Sequence, residues 1–546
     1  EIDAKVIQRL FQDSRINKDL GITCALVPTK SKGVISDRRH DPLGVPFYNS
    51  PTQGHDVVIS VDQIIGGIEN VGRGWNMLMQ ALSVGRGISL PAQSAGLTLA
   101  LARMVSSHAV IRKQFGKSIG KFEGVEEPLA QLGGISYLLE AMRKFTIGAL
   151  NHGVKPPIIT AIAKYNATEL SRTCLNGSMD IMGGAGISLG PKNIIGHFHM
   201  SNPIGITVEG ANILTRTLMI FGQGILRAHP FAYAEIKALE TNDLKSFDQA
   251  FWGHIRHVFS NLNRSVLLSV TRGRLTKSPV DGETSTYYKK LAWASATFAF
   301  MSDVALISLG AKLKSKEKIT GRYADLLSWL YIGTCVLRRF EAEGSLKQDL
   351  PLVHYSMNYT LFNLQKAFDG IFSNLKVPGL TWFIRNVLGA WSRLNSFTPG
   401  LSDELGHMTA TLMMKDCDER DRLTQGIFLS KDYEQNPLAR LDHAFQIIKK
   451  TEGVENKIKK AIAEKKLVKK PIISLLHPAL EQNLITLEEL NLFETAERLR
   501  WECIQVDDFS EAEYKRIGRG HEEVENVLPP SFRAKKTARI FGPFFD

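Results

Sequence analysis

One carboxylate, Glu209, stands beside a glycine, Gly210, within residues 206–216 (ITVEGANILTR). A short β-like run leads into the pair and a helix follows, which puts the carboxylate on a tight turn beside a helix start. Gly210 lets the backbone at that turn approach a ligand closely. Such a carboxylate serves as a proton-abstracting base once a bound apolar substrate dries the site and raises its pKa. The same residue types also describe an inert acid near a helix N-terminus, favourable to the dipole. The motif alone leaves both readings open.

Two further stretches carry candidate ligand-binding groups. In residues 111–127 (IRKQFGKSIGKFEGVEE), Arg112 closes a helix and Gln114, Phe115 and two glycines follow. A guanidinium can grip a pyrophosphate and Phe115 can pack against a flat heterocycle. A cationic helix C-terminus before a glycine turn has the same composition. Residues 179–190 (MDIMGGAGISLG) form a glycine-rich loop between helices, where backbone amides can reach a phosphate. The loop departs from G-x-G-x-x-G and no strand precedes it, which argues against a nicotinamide-binding Rossmann turn.

These groups need elements to position them. Residues 22–27 (ITCALV) and 57–65 (VVISVDQII) are rich in β-branched side chains and are separated by turn-forming material, so the first seventy-odd residues read as β. After Gly72-Arg73-Gly74 the pattern becomes helical. Breaks at 116–120, 152–157 and 183–193 leave helical runs at about 75–113, 124–151, 157–182 and 212–225, which predicts a four-helix bundle. Leu214, Leu218, Phe221 and Ile225 follow helical spacing on one face, and Asn212 stands where an N-cap is expected. Beyond residue 230 the chain stays helical but more polar, and 231–546 reads as a separate helical domain. The fold class is thus mainly α with a partial β-domain at residues 1–74, a helical bundle at 75–230 and a helical extension.

The 546 residues carry a formal charge of +12, a bias toward anionic partners such as a phosphate-rich cofactor, anionic lipid or nucleic acid. Five scattered cysteines form no C-x-x-C pair, which fits a reducing compartment without a disulfide or zinc framework. Residues 291–313 are long and apolar but contain Asp303, and read as a buried helix rather than a membrane span. His254 and His257 lie one helical turn apart without a Glu or Cys at matching spacing, and read as packing or surface residues, as do His197 and His199. Residues 457–470 (KIKKAIAEKKLVKK) are basic and amphipathic, which fits a solvated helix face or one lying on an anionic membrane.

In this order and spacing, RKQFGK, the M-G-G-x-G loop and E-G-x-N before a terminal helix resemble the acyl-CoA dehydrogenase family. The segments GITCALVP and GRGWNMLMQALSVGRG are similar to that family's middle β-domain and its junction with the C-terminal helical domain. The segments PLVHYSMNYTLFNLQKAFD and LRWECIQVDDF are similar to the C-terminal extension of the large bacterial enzymes of the FadE type. The resemblance implies that Glu209 removes the α-proton of a medium- or long-chain fatty acyl-CoA while hydride passes from the β-carbon to FAD. The product would be a trans-2-enoyl-CoA and the electrons would go to electron-transfer flavoprotein. It implies flavin contacts at Arg112, Gln114, Phe115, Asp180, Gly183, Gly184, Ala211 and Asn212, and acyl-CoA contacts at Ser83, Arg86 and Gly210. It also implies a homo-oligomer in which each flavin site borrows groups from two subunits. The expected location is the cytoplasm or the cytoplasmic face of the inner membrane, with peripheral membrane contact and no nucleic-acid partner.

Several positions depart from the family's usual pattern. Asp180 and Glu123 stand where Gln is common, and Ala211 replaces a Thr whose hydroxyl would reach the flavin. Three other functions share parts of this pattern: an acyl-CoA oxidase, a dehydrogenase-like nucleic-acid-binding protein, and an inactive scaffold. Peroxide production, a salt-dependent shift of DNA and a flavin that no acyl-CoA reduces would mark them respectively. The family's N-terminal helical domain and the first half of its β-domain have no counterpart in the 546 residues, so the sequence reads as a fragment. The isolated chain is therefore expected to bind FAD weakly and to be inactive, and stoichiometric flavin with turnover in that chain would overturn the expectation.

Overall fold

The computed structural model describes residues 20–45, 49–154 and 156–516. The chain is mainly helical, with strands confined to two short antiparallel pairs among the described residues. Near the N-terminus the expected β character survives only in part. The two predicted strands meet at a single antiparallel bridge, Ala25 to Ile64, and residues 61–63 coil into a 3-10 turn. A separate pair joins β1 (Val34–Ile35) to β2 (Gln53–Gly54).

The helical runs read from the sequence form four long elements: α1 (Gly74–Ile111), α2 (Glu123–Asn151), α3 (Pro157–Met182) and, after α4 (Ile195–Thr207), α5 (Asn212–Gly222). Pro157 starts α3, where its missing N–H costs nothing, and Gly183 ends it in a left-handed conformation (φ 59°). The sequence reading had no counterpart for α4, and its β-like run before Glu209 is the last turn of that helix. α1 is buried almost all round from Leu101 to Ile111, as befits the central helix of a bundle. It packs against α2 and α3.

Within the bundle two stretches are wound as π-helix, Gly85–Ser89 in α1 and Thr215–Gly222 in α5. The i→i+5 bonding of the second changes the angular step between side chains. The stripe expected from α-helical spacing therefore breaks up: Phe221 and Ile225 are buried, Leu218 is half-buried and Leu214 is exposed. The residues that turn inward instead are Thr215, Thr217 and Ile220.

The extension continues with α6 (Ala232–Glu240), α7 (Leu244–Val270), α8 (Ser285–Leu309), α9 (Glu317–Ala342), α10 (Leu350–Asn374), α11 (residues 381–394), α12 (Asp403–Met413), α13 (Asp418–Leu423), α14 (Pro437–Lys450), α15 (Glu452–Ala463) and α16 (Leu487–Ile504). No break in packing falls at residue 230. One apolar cluster runs from Ala95 to Leu499, and a smaller one joins Val454 to Phe493. α9 and α12 lie against α2, and α14 lies against α1. By length and composition α1 and α8 could each cross a membrane. Here both pack on neighbouring helices, and Asp303 in α8 is fully buried.

Ion pairs fix the extension to the bundle. Arg103 of α1 grips Asp442 of α14 with two hydrogen bonds, 2.5 and 3.0 Å, and also pairs with Asp421 of α13. Arg420, fully buried, donates to the Arg103 carbonyl (3.1 Å) and the Ser107 hydroxyl (2.7 Å). Breaking such a pair strands a charge without water, whereas replacing both partners by apolar groups does not. Arg103→Met is expected to lower unfolding stability by about 3–5 kcal/mol. The double variant with Asp442→Leu should recover only part of the loss, because Asp442 also faces the buried Arg420 at 3.5 Å, with urea denaturation as the measurement.

Candidate active site

Glu209 sits between the C-terminal end of α4 and the start of α5, in a left-handed backbone conformation (φ 57°), followed by Gly210 at φ 100°. Two consecutive residues of positive φ turn the chain sharply, and for a glutamate that conformation persists only when its surroundings hold it. Two cations do so. Arg86, buried in the π segment of α1, donates from Nε to the Glu209 carbonyl at 2.6 Å. Lys164, fully buried on α3, donates to the carbonyls of Ile206 (3.1 Å) and Gly210 (2.8 Å) and to Asn212 Oδ1 (2.8 Å). The Thr215 hydroxyl adds a hydrogen bond to the Gly210 carbonyl at 3.1 Å.

The carboxylate itself is left unengaged. Glu209 Oε2 is buried with no hydrogen-bond partner among the described residues. The side chain lies against Gly85: a Cβ there would come within 2.1 Å of both carboxylate oxygens, so any other residue would displace the carboxylate from this position. Burial raises the Glu209 pKa above the ordinary carboxylate value, and Arg86 and Lys164 oppose the rise. Lys164 is held down to about 8, chiefly by burial, with Glu209 opposing that shift. This arrangement suits a base: an ionised oxygen kept free of partners, fixed in place through its backbone, with a proton affinity above that of a carboxylate in water.

The other expected site residues fall into two groups. Arg86 and Asn212 belong to the frame of the turn rather than to a ligand surface. Asn212 is not an N-cap; it is the first residue of α5, and its buried amide also donates to Thr168 (2.9 Å) and Glu169 (2.8 Å). Ser83 is half-buried and bonds back to its own helix at the Gln80 carbonyl, 2.6 Å. Ala211 is exposed.

The second group lies at other ends of the helices. Arg112 caps α1, and the hairpin of β3 (Lys113–Gln114) and β4 (Lys117–Ser118) follows. Phe115, at that hairpin's tip, has φ 51° and is 93 % exposed. With 26 residues of continuous helix between Arg86 and Arg112, the two lie about 39 Å apart at 1.5 Å per residue. Asp180, Gly183 and Gly184 are exposed at the end of α3. A Cβ on either glycine would meet nothing within 4 Å, so the loop's backbone is open to approach. Glu123 is the first residue of α2, where its charge suits the helix dipole.

Sequence reasoning missed Lys164, and it placed Gly85 only within the segment 83–86 implied to lie near the acyl-CoA, not against the Glu209 side chain. The readable signal for Lys164 was a polar line, Thr160, Lys164, Thr168 and Ser171, at helical spacing in a helix whose neighbouring positions are apolar, and all four are buried. Gly85 carried no comparable signal, because its partner is 124 residues away in sequence.

Two other clusters resolve on inspection. The His229, His254 and Asp303 ligand-type atoms lie within 4.8 Å of one another. His229 Nδ1, however, accepts backbone N–H bonds from Phe231 (3.2 Å) and Ala232 (3.0 Å). Its Nε2 therefore carries the proton that points at Asp303 Oδ1 (2.8 Å) and has no lone pair for a metal. His254 bridges Glu235 (2.8 Å) and Asp303 (3.4 Å), so it is a packed residue with acidic partners that the sequence had not paired with it. In residues 457–470 Ile458 and Leu467 are buried in the smaller core and Ile462 packs on it, while Val468 is exposed. Lys457 and Lys459 pair with Glu489 (2.6 Å) and Glu455 (3.2 Å). That run presents a solvated basic face whose buried side packs within the chain.

The fold is thus a helical bundle that holds a partner-free carboxylate on a turn of positive φ. Residues 226–509 match the family described as acyl-CoA dehydrogenase, C-terminal, bacterial type, and residues 72–220 match acyl-CoA dehydrogenase, C-terminal domain. The chain belongs to the acyl-CoA dehydrogenase family. It is 30% identical over 203 residues to the mitochondrial short/branched chain specific acyl-CoA dehydrogenase of Bos taurus, covering 36% of this chain and 45% of that protein. An 80-residue stretch is 58% identical to a Proteus mirabilis protein named HemX, covering 15% of this chain and 47% of that protein. Among solved structures, an acyl-CoA dehydrogenase complexed with FAD from Bacillus anthracis shares the fold at TM-score 0.56 and 15% identity, covering 72% of this chain and 65% of that one. The chain spans about half the length of these curated relatives.

Lys164→Met would leave three carbonyl-type oxygens without their donor and should cost about 3 kcal/mol of stability. The pH dependence carries a second signature. Between pH 8 and the usual lysine value of 10.5 the unfolded chain binds a proton that the folded chain does not, so wild-type stability rises with pH across that window. Denaturation curves of the variant should lack this rise.

Proposed function

We propose that the protein carrying this chain is a flavin-dependent dehydrogenase that converts medium- or long-chain fatty acyl-CoA to trans-2-enoyl-CoA, with Glu209 as the base. The observation that carries this reading is the Glu209 turn: one buried carboxylate oxygen free of partners, and a backbone N–H that makes no hydrogen bond among the described residues. Abstracting an α-proton needs an oxygen to receive it and a donor to polarise the thioester carbonyl as charge develops there. The turn presents both from a single residue. Arg86 and Lys164 hold the adjoining carbonyls, so the N–H and the carboxylate keep their relative positions without either cation bonding to the carboxylate.

The groups suited to FAD are the half-buried Arg112 and a set of exposed ones. Arg112 offers a guanidinium for a pyrophosphate, Gln114 and Phe115 an amide and a bare aromatic ring, and Gly183 and Gly184 an open backbone. Ala211 lies beside the base, while Asp180 places a carboxylate near the glycine loop, where it favours a contact to a hydroxyl over one to a phosphate. FAD, when bound, supplies the hydride acceptor. The separation of about 39 Å between Arg86 and Arg112 supports a homo-oligomer in which the Arg112 hairpin serves a neighbour's site. Electron-transfer flavoprotein is the proposed electron acceptor and the cytoplasmic side of the inner membrane the proposed location.

The test is anaerobic bleaching of the bound flavin in the full protein on addition of palmitoyl-CoA. Glu209→Gln should slow bleaching by about a hundred- to ten-thousand-fold while leaving flavin content unchanged. In the wild type kcat/KM should fall as pH drops through a pKa above the ordinary carboxylate value, because only the ionised oxygen accepts the proton. Bleaching that is equally fast in the variant would remove Glu209 from this role.

A further inference from the structure

The segment that follows α16 runs back to the loop ahead of α4. Asp507 Oδ2 accepts backbone N–H bonds from Lys192 (2.6 Å) and Asn193 (3.1 Å), and the Asp507 N–H donates to the buried Asn193 Oδ1 at 2.6 Å. Bonds from N–H groups to an ionised carboxylate are among the stronger ones a surface loop can make. Asp507 also lies against Gly190: a Cβ there would come within 2.4 Å of its carboxylate, so a side chain at 190 would push the acid away. Within residues 183–193, the Gly186 N–H bonds the Gly183 carbonyl (2.8 Å) and the Ser188 N–H bonds the Gly184 carbonyl (3.2 Å). Those bonds shape the loop's turns but reach no other element, whereas Asp507 ties the loop to a residue more than three hundred positions away.

α16 itself is fixed at the far end of α1. Buried Arg500 donates from Nη1 to the carbonyl of Ile111, the last residue of α1. Glu497 of α16 and Glu455 of α15 flank Lys113, the residue after Arg112, at 3.6 and 3.3 Å. Leu499 lies in the main apolar core, with Cys503 and Ile504 packed on it. Four helical steps and three extended ones separate Arg500 from Asp507, which sets their Cα atoms at most about 17 Å apart. One short stretch of the extension is therefore bonded both to the base of the Arg112 hairpin and to the loop that continues from Gly183 and Gly184.

We propose that Asp507 and Arg500 are positioning residues for the flavin: the end of α16 and its tail hold the Arg112 hairpin and the glycine loop at a fixed separation, so that FAD meets both already placed. A ligand that must first order a loop loses that entropy from its affinity, and a loop tied down in advance spares it. The proposal rests on the reading that Arg112 and the glycine loop contact FAD. An acid just ahead of α4 also suits that helix's dipole. A role confined to the dipole predicts lost stability at unchanged flavin affinity.

The experiment titrates the flavin-free full protein with FAD, and follows amide hydrogen exchange across residues 183–193 and the melting temperature in parallel. Asp507→Ala should weaken FAD binding roughly tenfold and speed exchange across the loop. Asp507→Asn, which keeps one acceptor oxygen, should restore most of both. Arg498→Ala, on the exposed side of α16, should change neither. A folded Asp507→Ala variant that binds FAD as the wild type does, while Arg112→Gln binds it weakly, overturns the proposal and leaves the flavin reading intact. If Arg112→Gln also binds FAD unchanged, the flavin contacts themselves are wrong and the proposal falls with them. Should Asp507→Ala fail to fold, the wild type decides: the Lys192 and Asn193 amides should be protected without flavin, and exchange at the rate of an unstructured chain overturns the proposal.

Discussion

The ammonium of Lys164 holds the geometry on which the rest of the site depends. It is buried in α3, reaches past the end of α4 and the start of α5, and donates to two backbone carbonyls and one side-chain amide. A charge kept from water needs its hydrogen bonds made within the protein, and these acceptors are the ones that define the Glu209 turn. The positive φ at Glu209 and at Gly210 is thereby tied to the packing of three helices. Arg86 adds a fourth helix through the Glu209 carbonyl. The carboxylate can then remain without a partner of its own, because it is placed through its main chain.

The two π segments lie at this same junction, one carrying Gly85 and Arg86, the other following the turn itself. Each shifts the side chains that follow it relative to an α-helix. In α1 the effect is to bring the missing side chain of Gly85 under the carboxylate and the guanidinium of Arg86 to the carbonyl. In α5 it turns Thr215 inward to the Gly210 carbonyl. Farther along α5, Arg216 pairs with Asp325 of α9 at 2.7 and 2.5 Å, and Thr320 bonds the Thr217 carbonyl at 2.5 Å. The helix that follows the base is thus braced from the extension. This gives a physical reason for the extension and the bundle to share one core.

The chain belongs to the acyl-CoA dehydrogenase family, and the geometry around Glu209 shows how its proton affinity is set. Desolvation alone raises its proton affinity, and two cations limit that rise so that the group still ionises. The exposed Phe115 and the open glycine loop stand apart from this cluster and face outward. The chain therefore divides its chemistry between a rigid internal base and outward-facing groups available to a bound cofactor.

Much of this was legible in the sequence. Apolar spacing with Pro157 and Gly183 as punctuation located the long helices to within a few residues, because local backbone preferences and hydrophobic period act over one or two turns. Glu209 beside Gly210 was legible as a candidate, since a carboxylate next to a glycine is a local signal, but the motif left its role open. The sequence could not show that residues 206–207 end a helix, that α5 winds as a π-helix, or that Asn212 faces inward. Those outcomes are decided by partners more than forty residues away: Lys164, Thr168 and Glu169 for Asn212, and Arg86 for the Glu209 carbonyl. Likewise the lysine-rich run at 457–470 reads as amphipathic in one dimension, and only packing against Phe493 and its neighbours hides Ile458 and Leu467. Periodicity fixes which residues share a face; which face meets water is settled by the elements that remain to cover it.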